Sequence, residues 1–127
     1  MTPPPLRLKV LVIEDEPLIS MIIEFSIDCL GHEMIGPIAS LEEAMTAAAG
    51  DGYDCAVLDV NIVGGPSYAV AQTLGDKQRP FLLASGYADW SLPENLRNQP
   101  RLTKPYSGEQ LESELHLLFA RCVPRSA

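Results

Sequence analysis

A chain of 127 residues suits one domain and is too short for two ordinary ones. With 46% hydrophobic and 20% charged residues it can build a real core, which excludes disorder as a description of the whole. Seventeen acidic against nine basic side chains give a formal charge of −8, which argues against nucleic acid and anionic membranes as partners but not against a cation held by clustered carboxylates.

Residues 1–6 include Pro3-Pro4-Pro5 and no apolar signal segment, so they read as a flexible leader to one domain over 7–122, with 123–127 as a tail. Lys9 to Ile13 (KVLVI) is an apolar, β-branched run of the kind buried on both faces of a parallel sheet. Pro17 suits the first turn of a helix carrying Leu18, Ile22, Phe25 and Cys29 at helical spacing, with Gly31 as the stop. This helix is apolar on more than one side, which fits deep burial or a dimer face. Burial is the expectation, with the chain a monomer or weak homodimer. Glu24 and Asp28 interrupt it, and it is too short to span a bilayer.

Glu33 to Ile38 reads as a second strand. Ser40 with Glu43 forms a capping box for a short helix through Ala49, closed by Gly50. Cys55 to Val60 is the third strand, Tyr68 to Leu74 a third helix, and Phe81 to Ser85 the fourth strand, ending in Gly86. From Tyr87 to Pro100, two prolines and poor periodicity leave a weak fourth helix, which Ser91 and Glu94 could cap. Arg101 to Thr103 is a short fifth strand, and Ser107 with Gln110 opens a last helix with Leu111, Leu115, Leu118 and Cys122 on one stripe. Alternating strands and helices predict a doubly wound, three-layer α/β domain around a five-stranded parallel sheet. Cys29, Cys55 and Cys122 form no C-x-x-C pair and read as reduced core residues of a cytoplasmic protein. His32 and His116 match no catalytic or metal spacing, and neither is assigned a role.

Ligands of such folds bind beyond the C-terminal ends of the strands. There the sequence collects Glu14-Asp15, Asp59, Ser85 and Lys104-Pro105. Each has an ordinary reading alone: acids at a helix N-terminus, a strand-end turn, a Ser-Gly turn, a solvated lysine. Together they form a chemical set. Carboxylates sharing a cleft repel one another unless a cation joins them, and oxygen-only donors suit Mg²⁺. An opposed lysine and a hydroxyl can hold a phosphoryl group while a carboxylate accepts it.

In this order, these residues resemble the receiver domain of two-component response regulators, over roughly residues 7–122, which leaves no room for an output domain. Pro80 to Tyr87 (PFLLASGY) and Asp59-Val60-Asn61 resemble more narrowly the stand-alone FATGUY receivers, with Leu83 and Ser85 replacing the second Phe and the Thr of their motif. The resemblance implies a flavodoxin-like sandwich of strand order 2-1-3-4-5. It implies that Asp59 accepts phosphate from the phosphohistidine of a sensor histidine kinase. Mg²⁺ would be held by Asp15, by Asp59 and by the backbone carbonyl of Asn61, with Glu14 acting through water. Lys104 would pair with the phosphoryl group, Ser85 would be the switch hydroxyl, and the bond before Pro105 would be cis. Arg101 stands where receivers usually carry an aromatic, so the output change is expected at Tyr87 and its loop, with Arg101 bordering a surface for a downstream protein target. Alternatives are a phosphate sink, a phosphorelay shuttle passing phosphate to a phosphotransfer protein, a phosphorylation-independent scaffold, and a small Mg²⁺-dependent aspartyl-phosphate phosphatase. Against the last, Asn61 replaces the second Asp of the D-x-D pattern, and the chain lacks room for a substrate-selecting cap. No basic helix is present to read DNA.

Overall fold

The apolar runs become strands and the amphipathic segments become helices. In the computed structural model, which describes residues 7–86 and 93–122, β1 (Lys9–Ile13), α1 (Pro17–Cys29), β2 (Glu33–Ile38), α2 (Leu41–Ala49) and β3 (Cys55–Asp59) come first. A short hairpin of β4 (Asn61–Ile62) and β5 (Gly65–Pro66) follows, then α3 (Tyr68–Asp76), β6 (Phe81–Gly86), β7 (Arg101–Lys104) and α4 (Gly108–Ala120). The parallel sheet runs β2-β1-β3-β6-β7, the expected order with the hairpin counted in between. This is the flavodoxin-like arrangement. Where the sequence expects a weak fourth helix, one 3₁₀ turn covers Glu94–Leu96 behind Pro93, while the Ser91 cap lies outside the described residues.

Side-chain alternation divides the core in two. Leu11, Ile13, Ala56, Leu58, Phe81 and Leu83 pack with Ala44 and Ala48 of α2 and Val70 and Leu74 of α3. Val10, Val12, Cys55, Val57, Leu82 and Leu102 pack with Ile23 and Ile27 of α1 and Leu111, Leu115 and Leu118 of α4. Each large aliphatic side chain so buried stabilises the fold by about 1.5–3 kcal/mol.

Helix α1 corrects the sequence reading. Its inward row is Ile19, Ile23 and Ile27, while Leu18 and Phe25 are 75% and 70% exposed and Met21 and Ile22 also face solvent. The helix carries two apolar stripes, and periodicity alone cannot choose between them. Packing against Val10, Val12 and Leu115 selects the isoleucine row. Cys29 shares the outer stripe and is exposed, so only Cys55 is a fully buried core cysteine and Cys122 is half-buried. Among the described residues no helix is long and apolar enough to cross a membrane.

Two local features aim the chain at the strand ends. At Gly36, with φ +113°, an added Cβ would lie 2.7 Å from the Val12 carbonyl, so only glycine allows the close approach. The β1–β2 register shifts there, and the Glu14 N–H donates to Ile38 O at 2.9 Å, carrying the acidic pair past the ladder's end. On the other side, the register Gly86–Lys104 extends β7 by one residue beyond expectation and puts Lys104 on a strand. His32 has a structural role that its spacing did not reveal. Its Nδ1 accepts the Leu8 N–H at 3.0 Å and its ring meets Phe119 edge-on at 4.4 Å. Burial, and then the Arg7 charge, lower its pKa and favour this neutral acceptor form.

Candidate functional site

At the C-terminal ends of β1, β3 and β7, four charged side chains converge. One carboxylate oxygen each from Glu14, Asp15 and Asp59 lies within 4.8 Å of the others. Lys104 Nζ stands 3.0 Å from Asp59 Oδ2 and 3.0 Å from Glu14 Oε1, with Glu16 at 3.9 Å. Asp59 and Glu14 are buried, and Asp15 is half-buried.

Alternation explains the grouping. Asp59 continues the inward stripe of Cys55 and Val57, and Lys104 that of Leu102, so both emerge on the α1–α4 side of the sheet. Ser85 continues the stripe of Phe81 and Leu83 toward the other layer and is buried one residue past Ala84, the β6 partner of Asp59. The carboxylate–lysine cluster and the hydroxyl thus approach the sheet's end from opposite faces. The Asn61 N–H donates to Asp59 Oδ1 at 3.2 Å, and the Lys104–Pro105 bond is cis. Arg101 is exposed on the edge strand β7, and Tyr87 lies outside the described residues.

Electrostatics follow from crowding. Burial, reinforced by the hydrogen bond and charge of Asp59, pushes the Glu14 carboxyl up to about 7 despite Lys104. Burial alone would lower Lys104, but the Asp59 and Glu14 carboxylates outweigh it and hold the ammonium above the ordinary lysine range. Glu14 Oε1 is buried, and although Lys104 pairs with it by charge, no aligned hydrogen bond reaches it. An all-oxygen donor set with one such atom fits a hard divalent cation.

Two neighbours escaped the sequence reading. The Tyr106 hydroxyl is buried without a hydrogen-bond partner, and burial followed by the Glu14 charge pushes it up to about 12. It borders a cavity of about 440 Å³ formed with Glu16, Ile19, Ile22, Lys104 and Pro105. Its only signal was adjacency to Lys104-Pro105. Ser67, buried beneath Asp59, donates its hydroxyl to the Asp59 carbonyl at 2.6 Å. In the sequence it is indistinguishable from an ordinary helix cap before Tyr68.

No protein-family model and no curated protein matches the chain. Solved structures do. SdrG from Sphingomonas melonis Fr1 is 33% identical with a TM-score of 0.77, and the match covers 89% of this chain and 97% of that one. The REC domain of the Erythrobacter litoralis response regulator PhyR is 26% identical with a TM-score of 0.78, over 95% and 96% of the two chains. The BeF3-activated conformation of SdrG from Pseudomonas melonis Fr1, 32% identical, matches 89% of this chain and 93% of that one with a TM-score of 0.68. The backbone is thus closer to the first SdrG structure than to the BeF3-activated one.

Proposed function

Since the chain belongs to the response regulator receiver domains, we propose that it is a single-domain response regulator in which Asp59 takes a phosphoryl group from the phosphohistidine of a sensor histidine kinase. The observation that carries this reading is the ion pairing of Lys104 with both Asp59 and Glu14 at 3.0 Å, inside a cluster of three carboxylates. In the transfer, an Asp59 oxygen attacks phosphorus, the O–P bond forms, and the phosphohistidine nitrogen leaves with the electrons of the broken N–P bond. Lys104 exchanges part of its contact with Asp59 for a phosphoryl oxygen, and the Ser85 hydroxyl donates to another. The Asn61 N–H keeps the carboxylate oriented from below. Asp15, Asp59 and the Asn61 carbonyl are the groups that would hold Mg²⁺, with Glu14 acting through water. When bound, the ion neutralises crowded carboxylates and spreads the charge of the transferring group.

Incubation with acetyl phosphate and Mg²⁺, read by intact mass, tests the reading. A single phosphoryl adduct on the wild type and none on Asp59→Asn is the expected result. No wild-type adduct, or catalytic release of phosphate from simple phosphomonoesters, overturns it.

The switch belongs to partner binding in the cytoplasm, and the stretch from Pro80 to Tyr87 supports a place among the stand-alone FATGUY receivers. Arg101 is exposed, and its guanidinium could enter an apolar slot only at a heavy desolvation cost, so coupling through that position is disfavoured. We therefore assign the output change to Tyr87 and the residues that follow it, 87–96. Beryllofluoride should slow hydrogen exchange in residues 87–96 as well as at the cleft. Protection confined to the cleft defeats that assignment.

A further inference from the structure

Ser67 is the N-cap residue of α3, but its side chain makes no capping bond to that helix. Only 1% exposed, it turns its hydroxyl away from the helix toward the Asp59 carbonyl at 2.6 Å, with Val60 O at 3.1 Å. The chain reaches this point by folding back. Gly64 and Gly65, at φ +105° and +127°, turn β4 onto β5, and the Ser67 N–H then donates to Val60 O at 2.8 Å. On the β1 side the ladder ends at Ile13–Leu58, one residue before Asp59, so the Ser67 hydroxyl adds a restraint to a residue that the sheet holds only through its pairing with Ala84 of β6.

We propose that Ser67 is a positioning residue for the acceptor: through the Asp59 carbonyl, its hydroxyl holds the backbone so that the Asp59 carboxylate faces Lys104 and the Asn61 N–H. The inference rests on the reading of Asp59 as phosphoacceptor. A backbone free to rock about the strand's last residue would swing the carboxylate away from its partners, and small misplacements of a nucleophile slow transfer steeply.

Tyr53 supplies a matched control. Its buried hydroxyl donates to Ala48 O, also at 2.6 Å, near the opposite end of β3. Wild type, Ser67→Ala, Ser67→Cys and Tyr53→Phe are compared for the rate of labelling by acetyl phosphate in Mg²⁺, for thermal midpoint, and for the amide ¹⁵N–¹H shift of Asn61. Ser67→Ala should label about tenfold more slowly. Ser67→Cys, a weaker donor of similar shape, should fall between it and wild type, and carries the comparison if the alanine variant does not fold. Tyr53→Phe should lose thermal stability yet label at the wild-type rate, and the Asn61 shift should move in the Ser67 variants alone. Equal labelling by wild type and the Ser67 variants overturns the positioning role while leaving the acceptor intact. Slowing in Tyr53→Phe to the same degree overturns it too, because stability would then explain both. No adduct on the wild type overturns the acceptor reading and this inference with it.

Discussion

Glu14 is where the cleft's crowding becomes measurable. Its carboxyl is raised from the ordinary 4.5 to about 7 in the folded chain, first by burial and then by Asp59. A raised acid binds more protons folded than unfolded, so the stability it contributes is full below pH 4.5 and is lost as pH rises through about 7. Without divalent metal, urea midpoints should fall between about pH 5 and about pH 8, and Glu14→Gln should flatten that slope. A wild-type midpoint that climbs across the window while the variant stays flat would contradict the raised value. The converging side chains were legible in the sequence because polar residues ending apolar runs stand out against their surroundings. Ser67 and Tyr106 were not, since a serine before a helix and an aromatic after a proline have commoner explanations that only three-dimensional contacts can displace.

The strands of the main sheet were legible in number and order, the remaining elements less so in number, phase and extent. Strands β1, β3 and β6 are runs that stay apolar whichever way they face, so they could be read without knowing their neighbours. Helix α1 is apolar on two stripes, and the choice between them belongs to the sheet it meets. The β4–β5 hairpin is two residues per strand and has no periodicity to detect. The phase of α1 has a direct test. Ile23→Ala should cost about 2–5 kcal/mol in chemical denaturation, because Ile23 is fully buried. Phe25→Ser, two positions on, should stay within about 0.5 kcal/mol, since that ring is 70% exposed. Comparable losses would mean that the outer stripe is covered in solution. That outer stripe includes Ile22, which also lines the cavity next to Lys104.

Over the whole molecule, the formal charge of −8 opposes compaction, and much of the local repulsion sits at one end of the sheet. A divalent cation that binds only the folded chain should therefore stabilise it beyond ionic strength alone. With free Mg²⁺ at about ten times its Kd, linkage amounts to about 1.4 kcal/mol. The thermal midpoint should rise in MgCl₂ relative to NaCl of equal ionic strength, and Asp15→Asn or Asp59→Asn should abolish the difference. An equal rise in both variants would mean that the ion acts as general screening. The alternation that sends Asp59 and Lys104 to one face of the sheet and Ser85 to the other makes parity a hidden coordinate of the site. Deleting one residue within β3 would keep an apolar run of nearly the same composition and could leave the domain folded. It would nonetheless rotate the acceptor by half a turn, onto the layer of α2 and α3, and out of reach of its lysine. The spacing between core and carboxylate is therefore counted in odd and even steps as much as in ångströms, and insertions or deletions of two should be better tolerated there than those of one.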